Sequence, residues 1–307
     1  MSFSVTPLTI LSSDKIHTLK GKVYLPSGEI KGIFHLVHGM NEYIGRYEHL
    51  FAALCEEGFI CAGFDNLGHG ETALCDNSFG FIASKDGFKR MVEDVALFSN
   101  ALKENYPEKP IYLMGHSMGS FIARLTAAEY PDLYEKCIFC GTAGKNPLAK
   151  PGLLLTKTIA KIKGERHVSE FCLNIAFGSY NKKFSGDSNF EWVTSDREIL
   201  EKYENDPFCN FKFSVSALHD LVTLIDRCNK KSWYKSFPKN TPTFIISGDM
   251  DPVGNYGNGV RKVYNELAKN SCNVKLKLYP DARHEIHNDF CKNQVISDIQ
   301  GFLKGVS

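Results

Sequence analysis

The chain has 307 residues, with 36 Lys plus Arg against 35 Asp plus Glu and a formal charge of +1 at pH 7. A chain of that length buries roughly 75% of its unfolded surface, so it needs no metal, disulfide or partner to form a core. The balanced charge gives no footprint for nucleic acid or an anionic membrane surface, and 43% hydrophobic with 23% charged residues excludes wholesale disorder and collagen-like repeats. The opening residues, MSFSVTPLTI, lack the basic region, apolar stretch and small-residue cleavage site of a secretory signal. No apolar run approaches the ~18 residues of a membrane span. The expectation is a soluble, cytoplasmic protein whose ten cysteines remain thiols.

Two apolar runs, residues 5–11 and 16–25, flank the turn residues Ser12, Ser13 and Asp14 and predict an antiparallel edge hairpin. Residues 32–38 then read as a strand. Tyr47, Leu50, Phe51 and Leu54 follow at helical spacing until Gly58. The same alternation recurs: strand 59–64, a long helix carrying Phe88, Met91, Val92, Val95 and Leu102, strand 111–114, and a helix with Ile122, Leu125 and Ala128. Residues 137–140, KCIFCG with its flanks, hold a C-x-x-C pair that has no second pair or histidine at zinc spacing and reads as a buried strand. After a gap come strand 243–247, a helix marked by Val260, Val263, Tyr264 and Leu267, strand 274–279, and a terminal helix with Val295, Ile296, Ile299, Phe302 and Leu303. This order predicts an α/β fold, a mostly parallel central sheet with helices on both faces. In the gap the rhythm fails over a stretch too long for a structureless loop, and Leu153 begins a helical pattern. Residues 144–237 are therefore expected to form an inserted helical cap above the sheet's carboxyl edge, with residues 1–143 and 238–307 as the catalytic domain.

Gly115-His116-Ser117-Met118-Gly119 leaves the strand at 111–114 and opens a helix. Glycines two residues either side of a serine permit a sharp strand-to-helix turn that presents the hydroxyl at the top of a sheet, so Ser117 is the candidate nucleophile. A serine hydroxyl needs a base, and the base needs an acid to hold its tautomer; in this architecture they follow in the order serine, acid, histidine. Asp249 or Asp251 in SGDMDP and His284 or His287 in ARHEIH supply them, and Asp251 with His284 is the preferred pair. The alternatives cast Asp249 as a turn former and His287 as a supporting donor. The developing oxyanion needs two backbone N–H donors, expected from Met118 and from Met40 in His38-Gly39-Met40. The histidines form no H-x-x-x-H or H-E-x-x-H pattern, and Gly68-His69-Gly70 lacks the Lys and Ser or Thr of a phosphate loop. No metal and no cofactor are expected.

On these residues, with HGMNEYIGRY, Phe64-Asp65, Gly68-His69-Gly70, the elbow GHSMG, Asp251-Pro252-Val253 and Arg283-His284, the sequence resembles the monoacylglycerol lipase and lysophospholipase branch of the serine α/β-hydrolases. Residues 192–209, WVTSDREILEKYENDPFC, are similar to cap segments of bacterial lysophospholipase-like members. The resemblance implies a capped α/β-hydrolase fold, a triad of Ser117, Asp251 and His284, and a lipid or other acyl ester as the small-molecule partner, long-chain monoacyl esters above all. A short-chain carboxylesterase and a non-catalytic ligand-binding protein of the same fold are the alternatives. Leu153, Leu154, Leu155, Ile159 and Ile162 form an apolar stripe among Lys157, Lys161 and Lys163, open to core packing, acyl contact, or contact with a membrane or micelle.

Overall fold

A computed structural model describes residues 3–305. In chain order the elements are β1 (Phe3–Leu11), β2 (Thr18–Pro26), β3 (Gly32–Val37), α1 (Glu48–Glu56), β4 (Phe59–Phe64), α2 (Gly70–Leu74), α3 (Gly87–Asn105), β5 (Ile111–His116), α4 (Met118–Glu129) and β6 (Lys136–Cys140). Five helices follow before the sheet resumes: α5 (Ala149–Lys163), α6 (Glu170–Phe177), α7 (Arg197–Asn205), α8 (Val215–Cys228) and α9 (Lys231–Ser236). β7 (Thr243–Gly248), α10 (Asn258–Lys269), β8 (Val274–Tyr279) and α11 (Lys292–Lys304) complete the chain order.

The strands form one eight-stranded sheet in the order β1-β2-β4-β3-β5-β6-β7-β8. β1 and β2 pair antiparallel as the expected edge hairpin, and every pairing from β4 to β8 is parallel. Central strands are buried on both faces, which is why they read as unbroken apolar runs. Their period of two divides the side chains between two cores: Ile33, Leu113, Phe139 and Ile245 pack on one face with α3, α4 and α8, while Phe34, Met114, Ile138 and Ile246 pack on the other with α1 and α11.

The chain leaves β3 for β4 on one side and crosses back to β5 on the other, so the sequence order reverses between β3 and β5. Outside the carboxyl ends of two such strands, connecting loops diverge and leave a crevice where ligands of open α/β sheets bind. The residues after β3, β5, β7 and β8 all emerge at this edge.

The inserted stretch is helical and ties into the core. α8 packs on α3, α4 and α5, and Trp233 of α9 donates its indole N–H to Arg124 O at 2.9 Å. The apolar stripe of α5 divides: Leu155 and Ile159 pack against the core, whereas Leu154 and Ile162 are exposed. Among the described residues no helix is long and apolar enough to cross a membrane.

Asp220 joins the two parts of the chain. It is buried on α8 against the amides of Phe88 and Gly87 at the start of α3. Burial pushes its carboxyl up to about 7, against the pull of those two amides. Its folded value lies above the ordinary 3.8, so the associated stability is complete below that value and is lost as pH rises through the folded one. Asp220→Asn removes this dependence. Urea unfolding of the wild type is expected to weaken relative to the variant, on the order of a few kcal/mol, as pH is raised from about 4 to about 8; parallel curves would refute it.

Candidate active site

Ser117 stands between β5 and α4 at φ 52° and ψ −123°, a left-handed conformation that costs a non-glycine residue of order 1–3 kcal/mol. The turn is over-determined by its neighbours. Ser117 N–H donates to Cys140 O on β6 at 3.0 Å, and its carbonyl accepts from Ser120 N at 2.8 Å and Ser120 Oγ at 2.6 Å. A Cβ on Gly119 would collide with the carbonyl oxygens of Val37 and His38, and one on Gly115 with Gly119 O. The two glycines of the motif are thus required by close backbone approach.

Met118, the first residue of α4, and Met40, just beyond β3, line the same cavity as Ser117 and His284. Neither amide has an acceptor among the described residues. Asp251 is fully buried after β7 and His284 nearly so after β8, with His284 Nδ1 2.9 Å from Asp251 Oδ2. That separation is within hydrogen-bonding reach, but the N–H direction is poorly aligned, so Nδ1 has no well-directed acceptor. Asp251 also accepts from Val253 N at 2.8 Å and Ser247 Oγ at 3.3 Å. The structure thus pairs Asp251 with His284 and opens His284 and Ser117 onto one cavity.

The other two candidates fall elsewhere. Asp249 accepts from Asp281 N at 2.8 Å and shapes a turn. His287 stacks on Tyr47, ring centres 4.6 Å apart, and neither of its ring nitrogens has a hydrogen-bond partner among the described residues. Burial holds its pKa well below the usual imidazole value.

Beneath the site lies a buried charge array. Glu42 accepts from Gly39 N, from Tyr47 Oη at 2.9 Å, and from His116 Nδ1 at 2.8 Å. Arg46 Nη1 reaches Glu42 at 3.5 Å, and its guanidinium forks onto Glu285 at 2.5 and 2.7 Å. The ring of Tyr203 on α7 lies 4.8 Å from the Arg46 guanidinium carbon. Burial opposes ionisation of Glu42, yet His116 and Arg46 hold it far below the carboxylate range; burial opposes a charged His116, yet Glu42 holds its imidazole above its usual value.

His116, Cys140 and His287 place three donor atoms within 4.8 Å of one another. Tetrahedral zinc with these ligands needs edges of roughly 3.3–3.8 Å.

The cavity encloses about 350 Å³. Phe121 and Met118 of the sheet side meet Leu148, Leu155, Phe177 and Trp192 of the inserted side in its wall. Part of that side grips the histidine loop: His284 N–H donates to Trp192 O at 3.2 Å and Glu285 N–H to Val193 O at 2.8 Å. The role of Glu191, Trp192, Thr194 and Ser195 was not visible in the sequence beyond the cap-like run that begins at Trp192.

The profile of the Hydrolase_4 family, described as "Serine aminopeptidase, S33", matches residues 28–290. The chain belongs to this α/β-hydrolase family. It is 27% identical over 286 residues to the "Monoglyceride lipase homolog" of Monkeypox virus, covering 92% of both chains, and 26% identical to the human "Monoglyceride lipase", covering 92% of this chain and 88% of that one. A crystal structure of a highly thermostable carboxyl esterase from Bacillus coagulans superimposes with a TM-score of 0.94 at 32% identity, covering 99% of each chain. The family and fold expected from the sequence are borne out.

Arg46→Met leaves Glu285 buried without its cation and removes the guanidinium from beside Glu42. Removing one partner of such an array typically costs ~3–5 kcal/mol. Urea unfolding is expected to register that loss, and a change under about 1 kcal/mol would show the array to be solvated.

Proposed function

We propose that this chain is a serine carboxylic ester hydrolase that cleaves monoacylglycerol or lysophospholipid type fatty acyl esters through an acyl-enzyme at Ser117. The observation that carries the reading is the strained Ser117 opening, with His284 and two amides lacking acceptors, onto an apolar cavity. The names of the monoglyceride lipase relatives support the substrate class.

His284 takes the proton from Ser117 Oγ as the oxygen bonds to the ester carbonyl carbon, and Asp251 steadies the imidazolium. The amides of Met40 and Met118 hold the oxyanion; one such donor is typically worth ~10²–10³ in turnover. His284 then returns the proton to the departing alcohol as the C–O bond breaks. Water, deprotonated by the same imidazole, releases the fatty acid.

Residues 144–237 act in this reading as a cap over the catalytic domain of residues 1–143 and 238–307. Exposed Leu154, Ile162, Phe171 and Ile175, with Lys157, Lys161 and Lys163 nearby in sequence, suit transient contact with a membrane or micelle. A cytoplasmic location agrees with ten free thiols.

The carboxyl esterase likeness favours a second reading, short-chain ester hydrolysis. A series of esters from acetyl to palmitoyl separates the two, and kcat/KM rising with chain length supports the first. Ser117→Ala is expected to lower turnover of a p-nitrophenyl acyl ester by ~10⁶-fold and to abolish fluorophosphonate labelling, with unchanged circular dichroism. Retained turnover refutes the assignment. Phe171→Asp with Ile162→Asp should raise KM for micellar monoacylglycerol and leave hydrolysis of a soluble acetyl ester untouched; equal effects on both substrates would contradict aggregate contact.

A further inference from the structure

The placement of His284 depends on the inserted segment as much as on the sheet. Consecutive amides of the histidine loop, His284 N and Glu285 N, donate to consecutive carbonyls, Trp192 O and Val193 O. Arg283 Nη1 donates to Glu191 O, to Thr194 O at 2.9 Å and to Glu191 Oε2 at 3.1 Å. Farther along, Thr194 Oγ1 donates to Asn288 O at 3.0 Å, and both N and Oγ of Ser195 donate to Asp289 Oδ1, the amide at 3.1 Å. Asp289 Oδ2 accepts from Arg283 N at 2.8 Å and closes the circuit. Glu191 and Thr194 are fully buried, so these contacts satisfy groups that water cannot reach. The Trp192 ring rests 5.1 Å from the His284 ring while forming part of the cavity wall.

We propose that residues 191–195 form a strap that positions His284, with Arg283 as its anchor, so that whatever fills the cavity acts on the wall that carries the base. The proposal rests on the reading of His284 as the base for Ser117. In it Arg283 is a positioning residue. Its Nη1 alone donates to two carbonyls and a carboxylate of one stretch of chain, at a reach that the shorter lysine side chain does not match. Displacing the strap shifts His284 relative to Ser117 and Asp251, and a misplacement of ~1 Å typically costs ~10²-fold in rate.

The experiment compares wild type, Arg283→Ala, Arg283→Lys and Thr194→Val on a soluble p-nitrophenyl ester. For Arg283→Ala, kcat is expected to fall ~10²-fold with KM within about threefold, and Arg283→Lys to recover only part of the loss. The Arg283 side chain is 16% exposed, so guanidinium ion at sub-denaturing concentration should restore activity to Arg283→Ala where ammonium does not. If Arg283→Ala fails to fold, Thr194→Val carries the same test, since it removes the strap bond to Asn288 O, together with the bond from Asp196 N, and keeps the side chain's shape. A folded variant with kcat within about threefold of wild type, or a loss confined to KM, overturns the strap. Wild-type enzyme that neither hydrolyses ester nor takes up fluorophosphonate at Ser117 would instead fail the esterase reading; active wild type with equally active variants fails the strap alone.

Discussion

The site depends on the burial of one carboxylate. Glu42 sits at the centre of an array in which Arg46 reaches it and forks onto Glu285, while Glu42 binds His116 and raises the pKa of that imidazole. Opposite charges held together can be taken out of water, although such arrays seldom stabilise a fold more than well-packed apolar residues would. Their effect is geometric. Glu42 fixes Gly39 and therefore the Met40 amide, His116 and therefore Ser117, while Arg46 fixes Glu285 beside His284. Three loops from strands far apart in the chain are registered to one another by a single set of charge-assisted bonds.

That arrangement explains what the sequence disclosed and what it withheld. β3 to β7 were legible because a parallel strand covered on both faces must be apolar throughout. The elbow was legible because only glycine tolerates the approach of Gly119 to the Val37 and His38 carbonyls. Charged residues carry no such signature of burial: in HGMNEYIGRY the residues Glu42 and Arg46 look like a solvated loop, and Glu285 lies 239 positions from Arg46. α5 illustrates a different limit. Helical periodicity identified an apolar face, but Leu155 turned inward and Leu154 outward, because pattern gives a face's polarity and not what covers it. The cap-like run from Trp192 gave no sign of what residues 191–195 hold, since their bonds to residues 283–289 span about 90 positions and use mostly main-chain groups.

The strained serine and the inserted segment answer the same physical demand. Ser117 holds an unfavourable backbone conformation because β6, Ser120 and two close glycine contacts leave no alternative. The serine proposed as nucleophile is therefore fixed by its surroundings rather than by a ligand. His284 is held differently, between a buried carboxylate and a stretch of chain that also walls the cavity. Under the proposed chemistry the adjustable partner is then the base, and its adjustment is linked to an acyl chain through Trp192. Binding energy from methylenes remote from the carbonyl becomes available to orient the imidazole, an interaction gained on the way to the transition state and absent for a truncated substrate. Chain length would on this argument raise kcat as well as lower KM, which a cavity acting as an inert apolar sleeve would not do.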